Sequence, residues 1–307
     1  MLPVFPLLKL PCLCIEAVIS NLRCLDVVNL SYVSKRSYRL VKLFKSPVTF
    51  MILYLDGEGI CLELKPVDEQ LESYRFDEKL LEDINYFTSL FRCSVDYLKI
   101  DGDYLSEDNI DFGFNKLKKL FITGKKEITN DKLTYLLEHF EVTETISINI
   151  PISNTFNCAP KLLKAKEIWF ECGMSAGWVT GRFLSFLSHY DSVHQLMFNL
   201  PQFTIKDVIS VIAKWFRGRA PSLKSMIITF KLPVHPRDLE NGYFKPMPFE
   251  PERRPAVLVT TAGYDYDLSD GLDIVRSDGQ LATIYVEDND FWFHVWSEDE
   301  RRRLPIK

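Results

Sequence analysis

One stretch of this chain, Gly173-Met174-Ser175-Ala176-Gly177, has the residue types of a nucleophilic site at the spacing such a site requires. Glycines on both sides of a serine permit the sharp turn that lifts its hydroxyl above the end of a strand. Ile168 to Phe170 before it and Trp178 to Leu187 after it read as strand and helix. A serine hydrolase also needs an acid and then a histidine, and Asp270 and His294 stand in that order. The rest of such an enzyme is missing. No His-Gly oxyanion segment lies upstream, and His139 is the only histidine before the serine. The later chain does not continue the strand–helix alternation. A stacked strand–helix repeat needs the same small-residue turn, so Ser175 is read as a turn residue. A serine hydrolase using Ser175 is the remote alternative, and the chain is expected not to be an enzyme.

The other chemical groupings are weaker. Asp265-Tyr266-Asp267 followed by Asp270-Gly271 resembles a calcium loop, but the glycine is displaced by one and the closing glutamate is absent, so a polar turn is expected. Gly124-Lys125-Lys126 lacks the upstream glycine of a phosphate loop. The histidines His139, His189, His194, His235 and His294 show no metal-ligand spacing, and Cys12, Cys14 and Cys24 have no histidine beside them. These cysteines are expected to be buried thiols, and no metal or other cofactor is expected. Phe291, Trp292, Phe293 and Trp296 have no interleaved basic residues, so they read as packing rather than as a platform for bases.

Composition narrows the class. The chain has 307 residues, 47% hydrophobic and 26% charged, enough for a large core and about two domains. Its net charge of -5 supplies no general attraction to nucleic acid or to anionic membrane, and neither is expected as a partner. Arg301-Arg302-Arg303 follows Glu298, Asp299 and Glu300 and reads as a solvated tail. The seven scattered cysteines do not form a secreted disulfide scaffold. Pro3, Pro6, Pro11 and Lys9 interrupt the apolar opening, so no signal peptide is expected there, and no run is long enough to cross a bilayer. A cytoplasmic or nuclear protein is expected.

The elements that would position a function begin with three short helices between Phe5 and Lys45. Leu10-Pro11 opens the first, in which Ile15, Val18, Ile19 and Leu22 recur at helical spacing. Asp26 is placed to cap the second, and Ser34 the third. About 40 residues cannot build a core of their own. Yet Leu8, Leu10, Leu13, Ile15, Val18, Ile19, Leu22, Leu25, Val27, Val28, Leu30 and Val33 crowd here. They must be covered by the rest of the chain or by another protein.

These residues carry a resemblance. Leu10-Pro11, Ile15, Ile19, Leu22, Asp26-Val27, Leu30, Val33-Ser34-Lys35-Arg36 and Leu40-Val41 resemble the F-box motif. Cys12-Leu13 departs from it, since that family often has polar or acidic residues after the proline. The resemblance implies apolar contact with the Skp-type adaptor of an SCF-type cullin-RING ubiquitin ligase. By position, Leu10, Pro11, Ile15, Ile19, Leu22, Leu30 and Val33 are the implied contacts.

The rest is expected to be an α/β body, giving an α/β fold class with an N-terminal three-helix F-box at 1–45. Val48 to Leu55 and Ile60 to Leu64 read as strands joined through Asp56-Gly57, followed by a helix from about Asp77 to Phe91. Short apolar strands recur at Tyr97–Ile100, Lys119–Ile122, Ile146–Ile150, Glu167–Phe170, Gln195–Phe198 and Ser225–Ile228, with helices at Asp131–Phe140 and Thr204–Trp215. Their irregular spacing overlaps that of leucine-rich repeats, so 46–232 is expected to be an irregular leucine-rich-repeat-like α/β body. Pro233, Pro236, Pro246, Pro248, Pro251 and Pro255 mark a loop. Strands at Ala256–Thr260, Leu272–Arg276, Leu281–Val286 and Phe291–Trp296 make 233–307 a Pro-rich loop with a β-rich C-terminal end.

The body is also similar to the F-box-associated type 2 region of the nematode F-box B family. The likeness rests on Ile205–Ile228 with Trp215, Gly218, Pro221 and Leu223, and on Asp273–Val295 with Ile274, Arg276, Asp278-Gly279 and Ala282-Thr283. It implies recruitment of a target protein, whose identity is unknown. A plain repeat scaffold with no ligase link is the alternative.

Overall fold

The computed structural model describes residues 10–44, 48–57, 59–66, 72–76, 80–105, 112–153, 155–163, 165–170, 179, 183, 195–199, 204–230, 233–235, 239, 244–259 and 265–302. Two compact units divide the chain, Met1–Thr123 and Gly124–Lys307.

The first unit opens with three helices, α1 (Cys12–Ser20), α2 (Cys24–Val33) and α3 (Lys35–Leu43). Pro11 precedes α1, where its missing N–H leaves no gap, and its carbonyl accepts from Cys14 N at 3.0 Å and Ile15 N at 3.1 Å. Ile15 and Ile19, four residues apart, share a helix face and are buried. α3 starts as expected, with Ser34 Oγ accepting from Ser37 N at 3.1 Å. α2 does not. It begins at Cys24, ahead of Asp26, which lies inside the first turn and pairs with Arg23 at 3.2 Å.

A mixed sheet follows: β1 (Val48–Asp56), β2 (Gly59–Pro66), β3 (Glu72–Phe76), then α4 (Leu80–Phe91), β4 (Val95–Asp101) and β5 (Lys116–Thr123). Its order is β5-β4-β1-β2-β3. β1, β2 and β3 pair antiparallel, and β4 lies parallel to β1 and to β5. Alternation sets the faces. Met51, Leu53 and Leu55 are buried, while Phe50, Ile52 and Tyr54 are partly exposed. At the Asp56-Gly57 turn, a Cβ on Gly57 would lie 2.3 Å from the Tyr104 ring. β3 was not anticipated: Glu72-Ser73-Tyr74-Arg75-Phe76 is polar enough to read as loop, and its pairing with β2 makes it a strand.

In the second unit, α5 (Asn130–His139) buries Leu133, Leu136 and Leu137. Then come β6 (Glu141–Asn149), β7 (Glu167–Phe170), β8 (Gln195–Asn199), α6 (Ile205–Phe216) and β9 (Ser225–Thr229). β6, β7, β8 and β9 are parallel neighbours in chain order. α6 begins where Thr204 N and Oγ1 both donate to Asp207 Oδ2, at 3.0 and 2.7 Å.

The end of the chain is β-rich. β10 (Val257–Val259) pairs with β11 (Asp265–Asp267), so the expected polar turn at Asp265-Tyr266-Asp267 is a strand instead. The cause is packing: the Tyr266 ring sits 4.3 Å from that of Trp292. β12 (Leu272–Val275), β13 (Leu281–Glu287) and β14 (Asp290–Val295) form an antiparallel meander, and β14 joins β9 antiparallel. The expected tail at Arg301-Arg302 lies in a short helix, α7 (Glu298–Arg302), where Arg302 reaches Glu298 at 3.1 Å. Arg303 falls outside the described residues.

Two buried cations hold this end in place. The Arg254 guanidinium, 0% exposed, donates from Nε to Asp273 Oδ1 at 2.6 Å and from Nη2 to the Leu268 carbonyl at 2.8 Å. Thr283 Oγ1 donates to the same Asp273 oxygen at 2.8 Å, and Trp296 Nε1 donates to Thr283 at 2.7 Å. Arg276 donates to the Trp215 carbonyl at 3.3 Å, at the negative end of α6, and its guanidinium lies 4.8 Å from the Trp215 ring centre. The Trp215 and Phe293 rings meet edge-on at 5.2 Å. Residues distant in sequence therefore meet: Arg276, 61 positions after Trp215, and Phe293 further on both reach the Trp215 end of α6.

Candidate docking surface

The candidate nucleophile Ser175 and its glycines lie outside the described residues, as do His189, His194 and Cys172. Their proposed partners are placed. Asp270 is exposed, and His294 is buried on β14, edge-on to Trp296 at 4.8 Å. His294 Nε2 lies 3.3 Å from Glu300 Oε1, within ion-pair reach, but neither ring nitrogen makes a hydrogen bond. Strand register places Ser225 opposite His294, and no serine–histidine relay joins them. Burial pushes the Cys93 and Cys158 thiols up to about 12, which suppresses the nucleophilic thiolate. Cys24 is buried as expected, whereas Cys12 and Cys14, in the first turn of α1, are exposed. Among the described residues, no group of three His, Cys, Asp or Glu side chains could hold a metal. No described helix is long and apolar enough to cross a membrane.

The surface of the three helices is more informative. Among the described residues the exposed large apolar side chains are Leu13, Leu25, Tyr32, Val33, Leu43, Tyr104, Val257, Val259 and Val275. Five of these nine lie on α1, α2 and α3. Leu13 is 80% exposed, Val33 74% and Leu43 69%. Leu25, Tyr32 and Val33 stand at i, i+7 and i+8 on α2, so they share one stripe. Single exposed leucines are ordinary, and several on one short unit make it a candidate interaction surface.

The helices are also tied to their own unit. Ser31 Oγ and Tyr86 Oη on α4 share a 2.6 Å hydrogen bond, and the Tyr32 and Tyr86 rings stack at 4.7 Å. Tyr38 Oη and Lys42 Nζ both donate to Ser89 Oγ, at 2.9 and 2.8 Å. The buried side of the helices is therefore covered from within, and the other side remains open.

Residues 7–49 match the F-box domain. That match spans all three helices and ends in β1. F-box domains are docking modules of SCF-type ubiquitin ligases, and proteins that carry them are in general non-catalytic adaptors with a Skp-type partner. No curated protein and no solved structure matches the chain.

The structure sorts the residues singled out from sequence into two groups. Ile15 and Ile19 are buried, at 5% and 2% exposure. Leu10, Leu22 and Leu30 are half-buried, and Pro11 and Val33 are exposed. Leu13, Leu25, Tyr32 and Leu43 are also exposed and do not stand among the contacts the resemblance implies. Their signal was present in the excess of apolar residues over what the unit can bury, but periodicity does not show which of them stay outside.

Proposed function

We propose that this chain is a substrate-recruiting adaptor of an SCF-type cullin-RING ubiquitin ligase. Its F-box binds a Skp-type adaptor, and through that a cullin. Leu10, Pro11, Leu22, Leu30 and Val33 present the contact, and Ile15 and Ile19 hold α1 in place beneath it. The observation that carries this reading is the set of exposed apolar side chains on α1–α3, Val33 among them, in the segment that matches the F-box. Burying such a face on a partner recovers roughly 25 cal/mol per Å² of apolar surface.

The remainder of the chain binds a target protein. The parallel, sequential order of β6 to β9 supports the leucine-rich-repeat-like reading, since stacked strand–helix units produce that order. The meeting of Trp215, Arg276 and Phe293 supports kinship with the F-box-associated type 2 region of nematode F-box B proteins. Function then arises by tethering, which holds the target at high effective concentration near the ubiquitin-conjugating enzyme. The cytoplasm or nucleus is the expected site of action.

A scaffold with no ligase link is the second reading, and the Tyr86 and Ser89 ties to the helices favour it. Co-expression of the chain with a Skp-type adaptor separates the two. Recovery of a stoichiometric complex supports the adaptor; a well-folded chain that never captures a Skp-type protein supports the scaffold.

A further inference from the structure

The start of α2 has no local cap. Arg23 occupies the N-cap position and makes no side-chain capping hydrogen bond; its guanidinium donates instead to the Asp26 carboxylate at 3.2 Å. A helix N-terminus leaves four N–H groups without intrahelical partners, and these need an acceptor. The acceptor here comes from β3, 48 residues further along the chain. Glu72 Oε1 accepts from Cys24 N at 3.1 Å, and Glu72 Oε2 accepts from Leu25 N at 2.9 Å. Both oxygens of one carboxylate thus close the first turn, and its negative charge lies at the positive end of the helix. Tyr74 Oη donates to the same Oε2 at 3.3 Å and steadies the carboxylate from its own strand.

We propose that Glu72 is a positioning residue for the docking face of α2. This inference rests on the adaptor reading above. α2 is held at its first turn by Glu72 and at its last by the Ser31–Tyr86 hydrogen bond and the Tyr32–Tyr86 stack. Leu25, Tyr32 and Val33 lie between or beside those two points. Among the described residues β3 is an edge strand paired with β2, in a register that sets Glu72 opposite Leu64. The sheet of the first unit therefore fixes where the F-box presents its apolar stripe. A flexibly tethered F-box would not need such a cap.

The test uses the full chain with Glu72→Ala, Glu72→Gln and the double variant Glu72→Ala/Arg23→Ser. The serine supplies the local cap that Arg23 lacks, without setting a second carboxylate beside Asp26. The readouts are hydrogen exchange at the Cys24 and Leu25 amides and affinity for a purified Skp-type adaptor. Glu72→Ala is expected to speed exchange at both amides about tenfold, the usual scale for loss of a helix cap, and to weaken adaptor binding by a similar factor. Glu72→Gln should fall between, and Arg23→Ser should restore both readouts. Unchanged exchange overturns Glu72 as the cap. Faster exchange with unaltered adaptor affinity overturns its positioning role, as does failure of Arg23→Ser to restore binding while it restores exchange. If the unsubstituted chain binds no Skp-type adaptor, the docking reading falls and takes the positioning role with it. The exchange data then still decide the cap on their own.

Discussion

Asp273→Ala should be among the most damaging single changes in the second unit. Asp273 is 0% exposed and lies beneath a guanidinium that is also 0% exposed. Its Oδ1 accepts two hydrogen bonds, from Arg254 Nε at 2.6 Å and from Thr283 Oγ1 at 2.8 Å. Among the described residues its Oδ2 makes no hydrogen bond, and Arg253 Nε lies 3.8 Å from it. Both bonds end on an ionised carboxylate, so both are charge-assisted and worth about 1.5–3 kcal/mol each. The larger cost is the buried Arg254 charge left without its carboxylate, for which the total of about 3–5 kcal/mol is typical. Burial already pulls the Arg254 guanidinium below its usual value, with Asp273 opposing that pull, so removing Asp273 leaves the desolvation of that charge uncompensated. For a unit of this size the loss corresponds to a fall in Tm of about 6–20 °C. Thermal unfolding followed by circular dichroism measures it. A cycle with Arg254→Met then isolates the coupling, because the double variant removes the stranded charge and should be less damaged than the sum of the singles. A fall of under 2 °C for Asp273→Ala, or strictly additive effects, would refute the reasoning.

Two further predictions concern the same end of the chain. Burial pushes the Glu300 carboxyl up, but hydrogen bonds from Ser297 and the approach of His294 outweigh it and hold it at about 2, against an ordinary 4.5. A depressed carboxylate stabilises the fold above its unfolded value and loses that contribution as pH falls from about 4.5 to about 2. Glu300→Gln should flatten the stability profile across that window in denaturant titrations, and an unchanged profile counts against the contact. Gly271→Ala should cost about 1–3 kcal/mol by the same measurement, as overpacking does. Its Cβ would lie 2.6 Å from Thr283 Cγ2 and 3.0 Å from the Leu268 carbonyl oxygen, and the latter is backbone. A neutral result would show that β12 and β13 shift freely.

Much of the strand pattern was readable in the sequence because alternation and apolar runs report local burial directly. Glu167–Phe170 was located to the residue, and β4, β5, β9, β12 and β13 differ from expectation only at their ends. Elements whose cause is distant were not readable. β3 is a strand because β2 pairs with it, and β11 because Tyr266 packs on Trp292. The cap of α2 lies 48 residues away, and the local sequence around Asp26 carries no trace of it. Nothing in the sequence marks Arg254 and Asp273 as a buried pair 19 residues apart. The docking face shows the same limit. An amphipathic stripe shows that Ile15 and Ile19 must be covered, but not whether their own chain or a partner covers them. Leu13, Leu25 and Leu43 are equally apolar, and only the fold leaves them outside.

The adaptor account is tested most directly by the affinity of the full chain for a purified Skp-type adaptor, measured by calorimetry for the wild type and for Val33→Asp. Val33 is 74% exposed, so the substitution should leave stability within about 0.5 kcal/mol, as surface changes generally do. On binding, it would place a carboxylate in an apolar contact at a cost of several kcal/mol. The account predicts a tight complex for the wild type, and for Val33→Asp binding weakened at least a hundredfold with the same Tm. Equal affinity for the two chains, or no binding by either, would contradict it.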